Sequence, residues 1–253
     1  NDFLTFRDIT PEWVLGFKNY LEKKAKTMKK NPQPLAVNTQ FLYFSKLRAC
    51  INKALEEKII TDSPIANIPN IKAEESKRMY LTIEEVKRLA ETECKSEVVK
   101  RAFLFSCLTG LRISDIQKLT WGEVHHQGAF TRLIFKQKKT GGQEYLDISP
   151  QAAELMGGGG KRSEDKVFAG LPLSTKANIV IRPWVEKAGI NKRITFHCAR
   201  HTFAVMMLEL GTEIYTVSKL LGHRLLNTTQ IYAKILDKSK QEAVMRIPSI
   251  IGK

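Results

Sequence analysis

Apolar residues recur at three- and four-residue intervals in two stretches near the start of the chain, a spacing that predicts two amphipathic helices. Thr10, Pro11 and Glu12 read as an N-cap, a first-turn proline and an acidic first turn. Trp13, Val14, Phe17, Tyr20 and Leu21 follow at helical spacing. The basic run from Lys23 to Lys30 ends at Asn31-Pro32-Gln33-Pro34, which breaks the helix. A second helix is expected from about Asn38 to Lys58, with Phe41, Phe44, Leu47, Ile51 and Leu55 on its apolar face and Lys46, Arg48 and Lys53 on its polar face. Asp62-Ser63-Pro64 and Pro69 close this part. The charged stretch that follows reads as a linker, giving a first domain over 1–73, a linker over 74–80 and a second domain over 81–253.

In the second domain Thr82 caps a helix with Glu84 and Glu85 in its first turn. Val98 to Leu108 is an apolar helix stopped by Gly110, and Ser114 begins another with Ile116 and Leu119. Phe130 to Phe135 and Glu144 to Ile148 read as two strands around a turn at Thr140-Gly141-Gly142. A helix from Pro150 to Met156 runs into the flexible stretch Gly157 to Gly160. Three helices follow, Thr195 to Leu210, Thr212 to Leu221 and Thr228 to Ile235. Thr195, Thr212 and Thr228 stand at N-cap positions, and Gly211 and Gly222 at C-terminal caps. The pattern as a whole is mainly α with a small antiparallel β-sheet.

Composition narrows the class. Of 253 residues, 43% are hydrophobic, enough for globular cores. No apolar run reaches the roughly 18 residues of a membrane span, and no signal peptide is visible. The chain opens on Asn1 rather than Met, as a fragment lacking an upstream segment would. Lys and Arg number 41 against 26 Asp and Glu, a formal net charge of +15, which points to a polyanion and first to nucleic acid. Cys50, Cys94, Cys107 and Cys198 form no CxxC pair, so they read as reduced, intracellular and mostly packing residues.

Chemistry concentrates in the last third. His197 and Arg200 share one face of a helix start, where backbone amides and a guanidinium suit a phosphate. His223 ends Leu220-Leu221-Gly222-His223, and Tyr232 lies nine residues on. Upstream, Thr109-Gly110-Leu111-Arg112-Ile113-Ser114-Asp115 sets Arg112 on a tight turn, and the expected hairpin carries Lys136, Lys138 and Lys139. Each has an ordinary alternative: a solvated helix face, a helix cap, a half-buried aromatic, a surface turn, a charged sheet edge. His201 reads as a buried, hydrogen-bonded histidine, and His125 and His126 as loop residues without a partner at metal-ligand spacing.

Taken together, Leu-Thr-Gly-Leu-Arg-Ile-Ser-Asp, the lysine hairpin, His-x-x-Arg-His-Thr-Phe-Ala, Leu-Leu-Gly-His and Tyr resemble, in order and spacing, the tyrosine recombinase family of phage, conjugative-transposon and chromosome-dimer-resolution enzymes. The resemblance covers about Thr82 to Ala233. It implies a helical core-binding domain followed by an α+β catalytic domain. It also implies a site-specific recombinase, or integrase, that cuts and rejoins DNA through a 3′-phosphotyrosine and a Holliday junction. Arg112 and Arg200 would bind the scissile phosphate, His223 would donate to it, and Tyr232 would attack phosphorus. His197 would assist as general base, and a hairpin lysine would protonate the leaving 5′-oxygen. Register within the family's hairpin favours Lys139 over Lys138. Lys136 and Lys138, with Lys46, Arg48 and Lys53, would contact DNA.

The cations would neutralise the phosphate, so no metal or other cofactor is expected. Partners implied by the resemblance are double-stranded DNA attachment sites, three further copies in a tetramer on two duplexes docked through the C-terminal tail, and DNA-bending accessory proteins. No membrane partner is expected. A type IB topoisomerase and a non-catalytic DNA-binding regulator are the alternatives. The Leu-Leu-Gly-His motif argues against the first, and the complete residue set against the second.

Overall fold

The computed structural model describes residues 4–28, 30–74, 78–128, 130–136, 143–158, 162–223, 225–233 and 244–245. The chain divides into two compact units, Asn1–Lys77 and Arg78–Lys253.

In the first unit the Thr10 side chain accepts from the Trp13 amide and starts α1 (Pro11–Lys23), with Pro11 in its first turn. Helix α2 (Val37–Glu56) packs on it around Val14, Leu21, Phe44 and Ile51, and the following chain adds Ile65 and Ile71. Asn38 closes the unit by exchanging two hydrogen bonds with the backbone of Glu74.

The second unit is built on α4 (Glu97–Thr109), preceded by α3 (Ile83–Glu91). Thr82 and Glu85 form the reciprocal cap at the start of α3. Helix α4 is apolar on nearly every face and is accordingly buried. Its Phe103 meets Trp184 and Phe196 edge-on, at 5.6 and 5.7 Å between ring centres. Burying an aromatic of this size contributes about 1.5–3 kcal/mol. The short α5 (Ile113–Ile116) follows the turn at Gly110.

The sheet is antiparallel in the order β1 (Val124–Gln127), β2 (Phe130–Lys136), β3 (Gln143–Ile148), with Leu133 opposite Leu146. Thr131, Leu133, Phe135, Leu146 and Ile148 point inward, whereas Arg132 and Asp147 pair on the outer side at 2.7 Å. His125 and His126 belong to β1 and not to a loop. Their polar, exposed strand lacks the apolar alternation that marked its two neighbours.

Beyond the sheet come α6 (Pro150–Glu154), α7 (Ser174–Lys187), α8 (Phe196–Glu209), α9 (Ile214–Leu220) and α10 (Asn227–Ala233). The sequence pattern does not predict α7, because Pro183 stands inside it and reads as a breaker. Ile179, whose carbonyl an N–H at position 183 would have met, is 73% exposed, so water can take over that role. Two expected caps move: α9 starts after Glu213 rather than Thr212, and Thr228 lies inside α10. Among the described residues no helix is long and apolar enough to cross a membrane.

Candidate active site

Gly110 ends α4 in the left-handed region, with φ at 70°, and turns the chain so that Arg112 becomes the N-cap of α5. Arg112 Nη1 lies 3.9 Å from the carboxylate of Asp115, whose side chain is 1% exposed. From α8, Arg200 reaches into the same region and is 4% exposed. Its Nη1 donates to the Gly110 carbonyl and its Nη2 to the Leu221 carbonyl, both at 2.6 Å. One guanidinium thus ties together the turn that carries Arg112 and the turn that carries His223.

His223 follows the C-terminal glycine turn of α9, and its Nδ1 lies 2.8 Å from Thr229 Oγ1 on α10. Thr229 is fully buried, so this contact fixes both the ring and the helix. Three residues on, Tyr232 is 3% exposed within a cluster of Phe203, Ala204, Val217 and Leu221. Its hydroxyl lies 2.6 Å from Nδ1 of His201. His197, one turn earlier on α8, is exposed, and its ring meets that of His201 edge-on at 4.6 Å.

Electrostatics follow from burial among cations. Burial lowers the Arg200 pKa to about 10, with the Arg112 charge acting the same way, which leaves the guanidinium positive at neutral pH. Burial lowers His201 to about 3, reinforced by His197, Arg78, Arg200 and His223, so its imidazole is neutral. Burial raises the Tyr232 phenol, partly offset by Arg200, Arg78 and Arg112.

The structure therefore brings Arg112, His197, Arg200, His223 and Tyr232 together from three separate stretches of chain. Lys136 is exposed at the end of β2, whereas Lys138 and Lys139 lie outside the described residues. In the first unit Lys46 is exposed, Lys53 pairs with Glu56 and Glu57, and Arg48 is half-buried with its guanidinium on the Ile68 carbonyl. Three residues of the site had no role in the sequence reading. His201 reads as buried and hydrogen-bonded but its partner is not visible, Thr229 carries no signal, and Arg78 falls in the linker. Leu81, three residues after Arg78, is held to α8 by its amide on Thr202 Oγ1 at 2.9 Å. Among the described residues no group of His, Cys, Asp and Glu is arranged to hold a metal ion.

Residues 74–239 match the phage integrase family, and residues 1–73 the phage integrase SAM-like domain. The chain belongs to the phage integrase family. It is a tyrosine recombinase, an enzyme that cleaves and rejoins DNA at specific sites. A tyrosine recombinase of Pseudothermotoga lettingae is 26% identical over 236 residues, covering 90% of this chain and 81% of that one. Among solved structures, the XerH site-specific recombinase in a post-cleavage complex with its palindromic difH substrate matches with a TM-score of 0.74. It is 16% identical and covers 97% of this chain and 74% of that one. A lambda integrase tetramer bound to a Holliday junction matches with a TM-score of 0.61, at 17% identity over 89% of this chain and 67% of that one.

Proposed function

We propose that Tyr232 is the nucleophile of site-specific recombination and that Arg112, Arg200 and His223 bind the phosphate it attacks. The observation that carries this reading is the seat of the Tyr232 hydroxyl beside His201, within the field of Arg200 and Arg112. The Tyr232 oxygen bonds to phosphorus and the bond to the 5′-oxygen breaks. The phenol proton passes to His197, and Lys139 supplies a proton to the leaving oxygen. A 3′-phosphotyrosine and a free 5′-hydroxyl result. Attack by a 5′-hydroxyl of the second duplex reverses the chemistry with exchanged strands and passes through a Holliday junction. Two arginines placed before the extra negative charge develops are worth several kcal/mol in such a step.

The duplex attachment site is gripped partly by phosphate contacts from Lys46, Arg48, Lys53, Lys136 and Lys138. The exposure of Lys46 and Lys136 supports this role, whereas Arg48 and Lys53 must first loosen their protein contacts. Four copies assemble on two duplexes through the tail after Tyr232, with accessory proteins bending the DNA, in the cytoplasm of a bacterium. The tetrameric lambda integrase complex supports that assembly by analogy of fold.

The test is a nicked duplex carrying the attachment junction of the source element, quenched with detergent. A covalent adduct on the 3′ side of the nick, lost in Tyr232→Phe, is the expected outcome. An adduct that survives in Tyr232→Phe would overturn the assignment. Products with recombined flanks separate recombination from simple relaxation.

A further inference from the structure

His201 is a buried titratable side chain to which the roles above give no task. It is 6% exposed, Tyr232 is 3% exposed, and the two meet at 2.6 Å between Nδ1 and Oη. Their ring centres are 5.6 Å apart at 50°. Polar groups buried this deeply cost free energy unless they satisfy one another, and here each meets the other's need. Around the ring stand His197 and Arg200 from its own helix, His223 after α9 and Arg78 before α3. Every one of them is a cation or can become one, so a positive charge on the imidazole is disfavoured. A neutral ring offers a lone pair at one nitrogen.

We propose that His201 is the positioning residue for the nucleophile, its Nδ1 accepting the Tyr232 O–H and holding the phenol oxygen in the arginine site. The proposal rests on Tyr232 being the nucleophile. Before attack the O–H points at His201 and an oxygen lone pair faces the phosphorus; the proton turns from His201 to His197 as the bond to phosphorus forms. Without the acceptor, a buried hydroxyl would be stranded and the phenol would leave the pocket for solvent. Because α8 also carries Arg200, the same helix sets both the phosphate-binding cation and the attacking oxygen.

The experiment compares His201→Leu, which keeps bulk but removes the acceptor, with His201→Asn, whose amide oxygen can stand where Nδ1 stood. Adduct formation is measured in single turnover on the nicked duplex at saturating protein, alongside DNA affinity. The expected result is a slowing of about tenfold or more for His201→Leu at unchanged affinity, with recovery to within about threefold for His201→Asn. A parental rate in His201→Leu, or an equal loss in both variants, would overturn the proposal. If His201→Leu does not fold, the DNA-free protein labelled with ¹⁵N-histidine decides. Tyr232→Phe must then displace the His201 Nδ1 resonance, assigned through His201→Asn, and an unmoved resonance overturns the proposal. Loss of the adduct in Tyr232→Phe together with a parental rate in His201→Leu refutes the role of His201 alone. Survival of the adduct in Tyr232→Phe refutes the nucleophile reading itself.

Discussion

Replacing Gly110 with alanine perturbs the site from behind. At φ 70° an alanine is held in the left-handed region, at a cost of about 1–2 kcal/mol. Its Cβ would stand 2.6 Å from Cδ1 of Phe203 and 2.9 Å from Cδ2 of Leu221. Both neighbours are buried, so neither side chain can swing out, and overpacking of this kind adds about 1–3 kcal/mol. A stiffer unfolded chain returns roughly 0.4–1 kcal/mol, leaving a net loss of about 1–4.5 kcal/mol. The loss is read from urea unfolding in a Trp13→Phe background, where the fluorescence of Trp121 and Trp184 reports the second unit alone. The chemistry should suffer as well, because the Gly110 and Leu221 carbonyls are the two that hold Arg200. A displacement of a few tenths of an ångström to 1 Å at that guanidinium should slow adduct formation about tenfold to a hundredfold at a temperature where the variant is folded. A stability loss below about 1 kcal/mol, or an unchanged rate, would refute this account of how the turn and the arginine are coupled.

Thr229→Val keeps the shape of a fully buried side chain but removes the partner of His223 Nδ1. About 1–2 kcal/mol of stability should go, with slower cleavage at unchanged DNA affinity; a parental rate would show that His223 needs no such support. His201 is held near pKa 3 when folded, against an ordinary value of 6.5 that it regains when unfolded. Between these values the unfolded chain binds more protons, so stability is complete above pH 6.5 and falls as the pH drops. Denaturant midpoints should decline by the equivalent of about 1–2 kcal/mol from pH 7 to pH 5, allowing for partial screening, and His201→Asn should flatten the decline. Lys139→Ala should lose about a hundredfold in cleavage and recover on DNA with sulfur at the bridging 5′ position, since a thiolate leaves without a proton. Lys138→Ala should show neither effect, and the reverse pattern would exchange the two assignments.

Some helix ends are legible because one residue's own chemistry makes the cap. Thr10 with Pro11, Thr82 with Glu85, and Gly110 all stand where their chemistry places them. Strand β1 was hidden because His125, His126 and Gln127 face solvent, and α7 because Pro183 reads as a breaker. The motif residues could be named in advance, but what holds them could not. The Arg200 guanidinium rests on two backbone carbonyls, and a carbonyl has no letter in the sequence. His201 and Tyr232 are 31 positions apart, so only the packing of α10 on α8 discloses their bond.

The double anchorage of Arg200 also bears on how DNA is met. A guanidinium has five N–H groups, and two are already directed at Gly110 and Leu221, which leaves three for an anion. A free arginine would forfeit rotational freedom when it closed on a phosphate, at roughly 2 kcal/mol for so long a side chain. Here that freedom has been surrendered during folding, and the arriving backbone finds a rigid receptor.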